Sequence, residues 1–212
     1  MHKYDRLPPF AARMAAVVCL TGLAFGAGCT TPYNPLQDFE SVSPAVELEA
    51  PLASASRAAT YPVEQVARGK YLVKLLGCGI CHTDGALIGD PNYSLNLAGS
   101  RIGIAYTNPM VDKHPGVIYP SNITPDVETG IGSWSEIEIV RLLRSGEASH
   151  DRQLLTVMPW PTYAWITDPD ALAIAAYLRS LPPVKHRVPD NVPAGRMASS
   201  PYVHFGVYRS RN

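Results

Sequence analysis

Apolar positions fall into three patterns along the chain. A mostly apolar run occupies positions 14–28, and stripes of helical period follow near 63–76, 137–143 and 172–178. Elsewhere apolar residues are scattered among Pro, Gly, Ser and Asn without a helical period. The first stripe places Val63, Val66, Lys70 and Val73 near one face, extended by Leu72, Leu75 and Leu76. Pro62 suits the start of that helix and Gly77 its end. The second opens on Ser135 with Glu138 three residues on, a capping box, and carries Ile137, Ile139, Val140, Leu142 and Leu143. Arg141 and Arg144 favour its C-terminal dipole and Gly146 can close it. The third is expected from about Pro169 to Leu181, with Asp168 as N-cap, Pro169 at the first helical position, and Leu172, Ala175, Ala176 and Leu178 facing inward. Pro182 and Pro183 stop it. From Thr83 to about Gly132 the sequence reads as loop in which no strand is predicted.

These patterns predict an all-α domain of three principal helices and long loops. So little regular structure cannot supply a conventional core, so a bound group is expected to replace much of it. The organisation follows: an export signal at 1–28, a Pro-, Ser- and Ala-rich flexible tether at 29–61, part of which could lie along the domain surface, the domain at 62–183, and a Pro-rich extension at 184–212 ending in Tyr202, His204, Phe205 and Tyr208. No internal repeat is visible.

The apolar run at 14–28 follows Lys3, Arg6 and Arg13 and is shorter than the roughly 20 residues a spanning helix needs. It ends in Gly26-Ala27-Gly28-Cys29, small residues before a cysteine, as at a processing site. The junction resembles a bacterial lipoprotein signal, which implies acylation of Cys29 and a membrane anchor, although Gly26 stands where that pattern usually has Leu. The expected location is the periplasmic side of a bacterial cell envelope. The 18 basic and 18 acidic residues cancel, which argues against nucleic acid as a partner.

Of the four cysteines, Cys19 lies in the signal and Cys29 at its end, leaving Cys78 and Cys81. Cys78-Gly79-Ile80-Cys81-His82 is the signature of covalent c-type haem attachment. Two thiols at this spacing reach the two vinyl groups of a porphyrin, and the next side chain is an imidazole directed at the iron. A disulfide, a zinc site and a thioredoxin-like dithiol are the alternatives; zinc lacks a second Cys pair, and the dithiol lacks a βαβ surround. For the sixth iron position Met158, in Val157-Met158-Pro159-Trp160, offers a soft thioether on a proline-stiffened loop. A lone Met is equally well core filler. Met110, Met197, His114, His150, His186 and His204 read as loop or surface residues.

The order of helix, Cys-x-x-Cys-His, long loops, Met-Pro and a helix ending Ala176-Tyr177-Leu178-Arg179-Ser180-Leu181 resembles class I cytochrome c over about Pro62 to Pro183. Asn122-Ile123-Thr124-Pro125-Asp126, Gly130-Ile131-Gly132-Ser133-Trp134-Ser135 and Val157-Met158-Pro159-Trp160-Pro161 are similar to single haem domains of the cytochrome subunits of membrane-bound alcohol, aldehyde and gluconate dehydrogenases. Those subunits commonly carry three such motifs; this chain has one. The resemblance implies a cytochrome c-like fold around one covalent haem c, with Cys78, Cys81, His82 and Met158 holding it and the last two on the iron. It also implies that Gly69 and Tyr71 cross the last helix near Tyr177. A carbonyl in the loop after the motif would orient the imidazole, but Ser94 to Gly99 lacks the usual proline and leaves that atom unassigned. Trp134 and Tyr163 are candidates for haem contact or for ordinary core. The expected role is single-electron transfer, from a periplasmic or membrane dehydrogenase to another cytochrome or a terminal oxidase, with no catalytic residue of its own. The alternative is a haem enzyme acting at a labile sixth position.

Overall fold

A computed structural model of the chain describes residues 34–37, 39–40, 42, 46–148, 152–153 and 157–205. The signal at 1–28, Cys29, His150 and Tyr208 lie outside the described residues. Within them the fold is the expected all-α, cytochrome c-like one: α1 (Ala55–Ala58), α2 (Val63–Leu75), α3 (Cys78–His82), α4 (Glu136–Ser145), α5 (Trp160–Tyr163) and α6 (Asp168–Ser180).

The core is organised by the crossing of α2 on α6, the most extensive helix pair. Gly69 makes it possible: a Cβ there would sit 1.9 Å from the Ala173 carbonyl oxygen and 2.6 Å from Tyr177 Cβ. This approach turns Gly69, Leu72 and Val73 inward and leaves Val63 and Leu75 exposed. Gly69 thus lies at the crossing as the resemblance implied. Tyr71 does not; it points outward, with the Arg68 guanidinium 5.4 Å over its ring.

The α4 capping box forms, with the Ser135 N–H donating to Glu138 Oε2 at 2.7 Å and Ser135 Oγ accepting from the Glu138 N–H. Gly146 (φ +68°) ends the helix and also leaves room for the Trp160 ring, whose atoms would lie 2.8 Å from a Cβ. At α6 the cap is Thr167, whose Oγ1 accepts from the Asp170 N–H, so Asp168 occupies the first helical position and Pro169 the second. The two acids of that first turn then pair with neighbouring helices, Asp168 with Arg144 on α4 and Asp170 with Arg68 on α2. α6 is buried nearly all round, its alanines admitting close neighbours.

Two segments outside 62–183 are hydrogen-bonded to the helices and loops within it. Residues before Pro62 are not all tether: Tyr177 Oη donates to the Pro51 carbonyl at 2.7 Å, Asn96 Nδ2 to the Glu49 carbonyl at 2.8 Å, and the Ser54 N–H to the Ser180 carbonyl at 2.8 Å. These hydrogen bonds fasten the segment to the domain. The extension past Pro183 is equally integral. The long loop holds short strands, β1 (Gly103–Ala105) antiparallel to β2 (Val117–Ile118) with Ile104 opposite Ile118, and β1 runs parallel to β5 (Tyr202–Val203) with Gly103 opposite Tyr202. Val192 exchanges both backbone hydrogen bonds with Val117 at 2.8 Å. A further pair, β3 (Glu147–Ala148) and β4 (Arg152–Gln153), follows α4. Strands of two or three residues are too short to show a period of two, which is why the sequence does not announce them.

Candidate functional site

Gly77, at φ +67°, turns the chain out of α2 and straight into α3, the five residues Cys78 to His82. One helical turn puts positions i and i+3 on one face, so Cys78 and Cys81 present their sulfurs together. Both are free thiols and half-buried. Burial pushes the Cys78 thiol up to about 11 and raises Cys81 as well.

His82 Nδ1 lies 2.7 Å from the Ser121 carbonyl oxygen. A carbonyl can only accept, so Nδ1 carries the proton and Nε2 keeps its lone pair. Burial also holds the imidazole pKa below its usual value, which favours the neutral form. The imidazole is therefore presented as a ligand, with its tautomer fixed from behind. Ser121 is the orienting atom that the loop at 94–99 did not reveal; it lies 39 positions from His82.

The stretch after the motif is pinned closely. Thr83 Oγ1 donates to Asn96 Oδ1 at 3.1 Å and accepts the Leu97 N–H at 3.2 Å. The Gly99 N–H donates to the His82 carbonyl at 2.8 Å. Asp84 accepts the Arg101 N–H at 2.7 Å and pairs with its guanidinium. Leu97 is the only non-glycine with positive φ (62°) among the described residues. It is buried, and such a backbone costs on the order of 1–3 kcal/mol.

Met158 is half-buried and packs, as Cys78 does, on the cluster that contains Leu72, Leu97, Ile139, Tyr163 and Tyr177. α5 follows it directly, and burial together with the nearby sulfurs of Cys78 and Cys81 pushes the α5 residue Tyr163 up to about 12. The Met158 segment and the cysteine helix thus share one apolar wall. Trp134 packs on the same wall. The rival sulfurs lie elsewhere: Met197 is 79% exposed, and Met110 follows the turn capped by Asn108. His186 Nδ1 bonds the Ala98 carbonyl at 2.9 Å, while its buried Nε2 has no partner among the described residues.

These groups fit a covalent haem. Two unpaired thiols sit on one helical face, a neutral imidazole is locked for ligation, and a thioether lies on the adjoining apolar wall. Among the described residues no three His, Cys, Asp or Glu side chains gather as a metal-holding group.

No family model matches the chain. It is 34% identical over 127 residues to one of the subunits of the nicotinate dehydrogenase of Pseudomonas putida, a match covering 58% of this chain and 9% of that protein. It is 37% identical over 112 residues to the gluconate 2-dehydrogenase cytochrome c subunit of Pantoea cypripedii, covering 53% and 22%. It is 34% identical over 128 residues to the cytochrome c subunit of the quinone alcohol dehydrogenase of Gluconobacter oxydans, covering 59% and 24%. The chain thus spans about a quarter or less of the length of these curated relatives.

Proposed function

We propose that this chain, a c-type cytochrome domain by sequence and fold, carries single electrons at one haem c, held by Cys78, Cys81, His82 and Met158. The observation that carries the reading is the His82–Ser121 hydrogen bond. A histidine whose Nδ1–H is spent on a backbone carbonyl, beside two free thiols of one helical face, is built to offer Nε2 to a metal. Haem, when bound, supplies an iron that cycles between ferrous and ferric states. The chain would supply the rest: Cys78 and Cys81 would attach the group, His82 and Met158 would ligate its iron, and the wall of Leu72, Leu97, Ile139 and Tyr163 would exclude water. With both residues as ligands, no position would remain for substrate exchange. The single Cys-x-x-Cys-His motif supports one haem.

Relatives that are cytochrome c subunits of gluconate and alcohol dehydrogenases support a dehydrogenase as electron donor. The acceptor is another cytochrome or a terminal oxidase. The basic leader and apolar run before Cys29 support export to the periplasmic side, with a lipid on Cys29 as the membrane anchor. Among the described residues no helix is long and apolar enough to cross a membrane.

The test is expression of the full chain with the haem-attachment machinery. The expected product keeps its haem through denaturation, is low-spin, and does not change on adding carbon monoxide. Cys78→Ala combined with Cys81→Ala abolishes the denaturation-resistant haem. A colourless exported protein overturns the reading, and rapid carbon monoxide binding overturns Met158 as a fixed ligand.

A further inference from the structure

We propose that Asn122 is a positioning residue for His82, fastening the Ser121 carbonyl that orients the imidazole to the C-terminal segment at Val184. The inference rests on the electron-carrier reading and extends it to a group that touches neither iron nor porphyrin.

Ser121 sits in a loop with no regular structure of its own. Its carbonyl can hold a ring in place only if the peptide bearing it is itself held. Asn122, the other half of that peptide, is 2% exposed. Its Nδ2 donates to the Val184 carbonyl at 2.7 Å and to Thr129 Oγ1 at 3.0 Å. Its Oδ1 accepts the Thr124 N–H at 2.9 Å and Thr124 Oγ1 at 2.8 Å. Both donors and both lone pairs of the carboxamide are used.

The partners are themselves satisfied. Thr124 Oγ1 accepts the Val184 N–H at 3.1 Å. Thr129 Oγ1 accepts the His186 N–H at 3.1 Å and donates to Asp126 Oδ1 at 2.6 Å. His186 Nδ1 reaches the Ala98 carbonyl, and next to Ala98 the Gly99 N–H is bonded to the His82 carbonyl. The connections therefore close a ring that leaves His82 through Ser121 and returns to it through Gly99. The Asn122 carboxamide and the Thr124 and Thr129 hydroxyls are fully engaged in it, and such a buried network is rigid, whereas breaking it leaves polar atoms stranded. Gly99, at φ +88°, permits the closure, since a Cβ there would lie 2.7 Å from the Asn122 nitrogen.

The consequence is electronic. Donation from Nδ1–H to a carbonyl makes the imidazole a stronger base toward the metal, which favours the ferric state. A loosened Ser121 weakens that donation, so the reduction potential rises.

The experiment uses the haem-loaded full chain and reads two quantities: exchange of the His82 Nδ1 proton by NMR, and the midpoint potential. Asn122→Ala and Thr124→Val are expected to speed that exchange at least tenfold and to raise the potential. Thr124→Ser, which keeps the hydroxyl, is expected to match the parent in both. Thr124→Val changes shape least and decides the matter if Asn122→Ala retains no haem. If Thr124→Val holds haem with His82 exchange and potential unmoved, Asn122 is only structural, even where the melting temperature falls. A parent chain without low-spin haem overturns the electron-carrier reading and this inference with it, before any variant is made.

Discussion

Cys78, Cys81 and His82 are proposed from the sequence alone because the chemistry of haem attachment depends on spacing within a single helical turn. Met158 needed a resemblance as well, since a thioether on an apolar wall is also what core filler looks like. Ser121 was out of reach: any residue has a carbonyl, and its meeting with His82 depends on how a long loop returns. Leu97 was hidden for a similar reason, because nothing in its side chain announces a positive φ. At this scale the sharpest expectation concerns the thioether. If Met158 ligates the iron as proposed, Met158→His would replace a soft thioether that favours ferrous iron with a harder nitrogen. The haem should stay attached, because Cys78 and Cys81 are untouched. Its potential should fall by on the order of 0.1–0.3 V, a part of the roughly 0.8 V that axial ligands command. Redox titration of the two proteins checks this, and an unchanged potential would remove Met158 from the iron.

At the scale of elements, the helices were foreseeable wherever their signals were local, as at the Ser135 capping box. Faces were less readable. The apolar positions of α2 spread over a wide arc, and the side that faces inward is chosen by Gly69, where contact with α6 leaves no room for a Cβ. Gly69→Ala sets a methyl against the Ala173 backbone carbonyl, which cannot swing aside as a side chain could. Destabilisation of about 2–3 kcal/mol is expected in urea unfolding, at the upper end of ordinary overpacking; a change below about 0.5 kcal/mol would mean that the crossing has slack. The acids that start α6 predict a pH effect. Arg68 holds the Asp170 carboxyl below the ordinary carboxylate range. A carboxyl lowered on folding contributes stability above its unfolded pKa, and this is lost as the pH falls through the folded value. Asp170→Asn should therefore lower the melting temperature at pH 7 by about 1–3 °C, the scale of an exposed pair in a domain of this size. The difference from the parent should shrink as the pH falls through the lowered pKa of Asp170 and vanish once both lack the charge.

On the scale of the whole molecule, the sequence places the domain boundary at Pro183 because helical periodicity ends there, yet the chain beyond it fills gaps that the long loop leaves. Val184 and His186 join the Asn122 network, Asn191 Oδ1 accepts the Tyr119 N–H at 2.9 Å, Tyr119 Oη donates to the Ser200 carbonyl at 3.0 Å, and β5 pairs with β1. The side-chain hydrogen bonds among these join partners 57 to 81 positions apart and leave no periodic trace, which is why composition alone reads this segment as an extension. Two truncations separate its roles. Ending the chain after Arg187 keeps Val184 and His186 but removes Asn191, Val192, Ser200 and β5. Stability should fall by several kcal/mol, roughly 1 kcal/mol for each hydrogen bond lost, while the low-spin spectrum and potential stay near the parent's. Ending it after Pro183 also strips the partners of Asn122 and Thr129, so buried polar groups are left unpaired beside the peptide that orients His82. That shorter chain should lose further stability and, where it still holds haem, titrate at a higher potential. If both truncations behave alike in potential and melting temperature, Val184 and His186 are not the connection between the tail and His82.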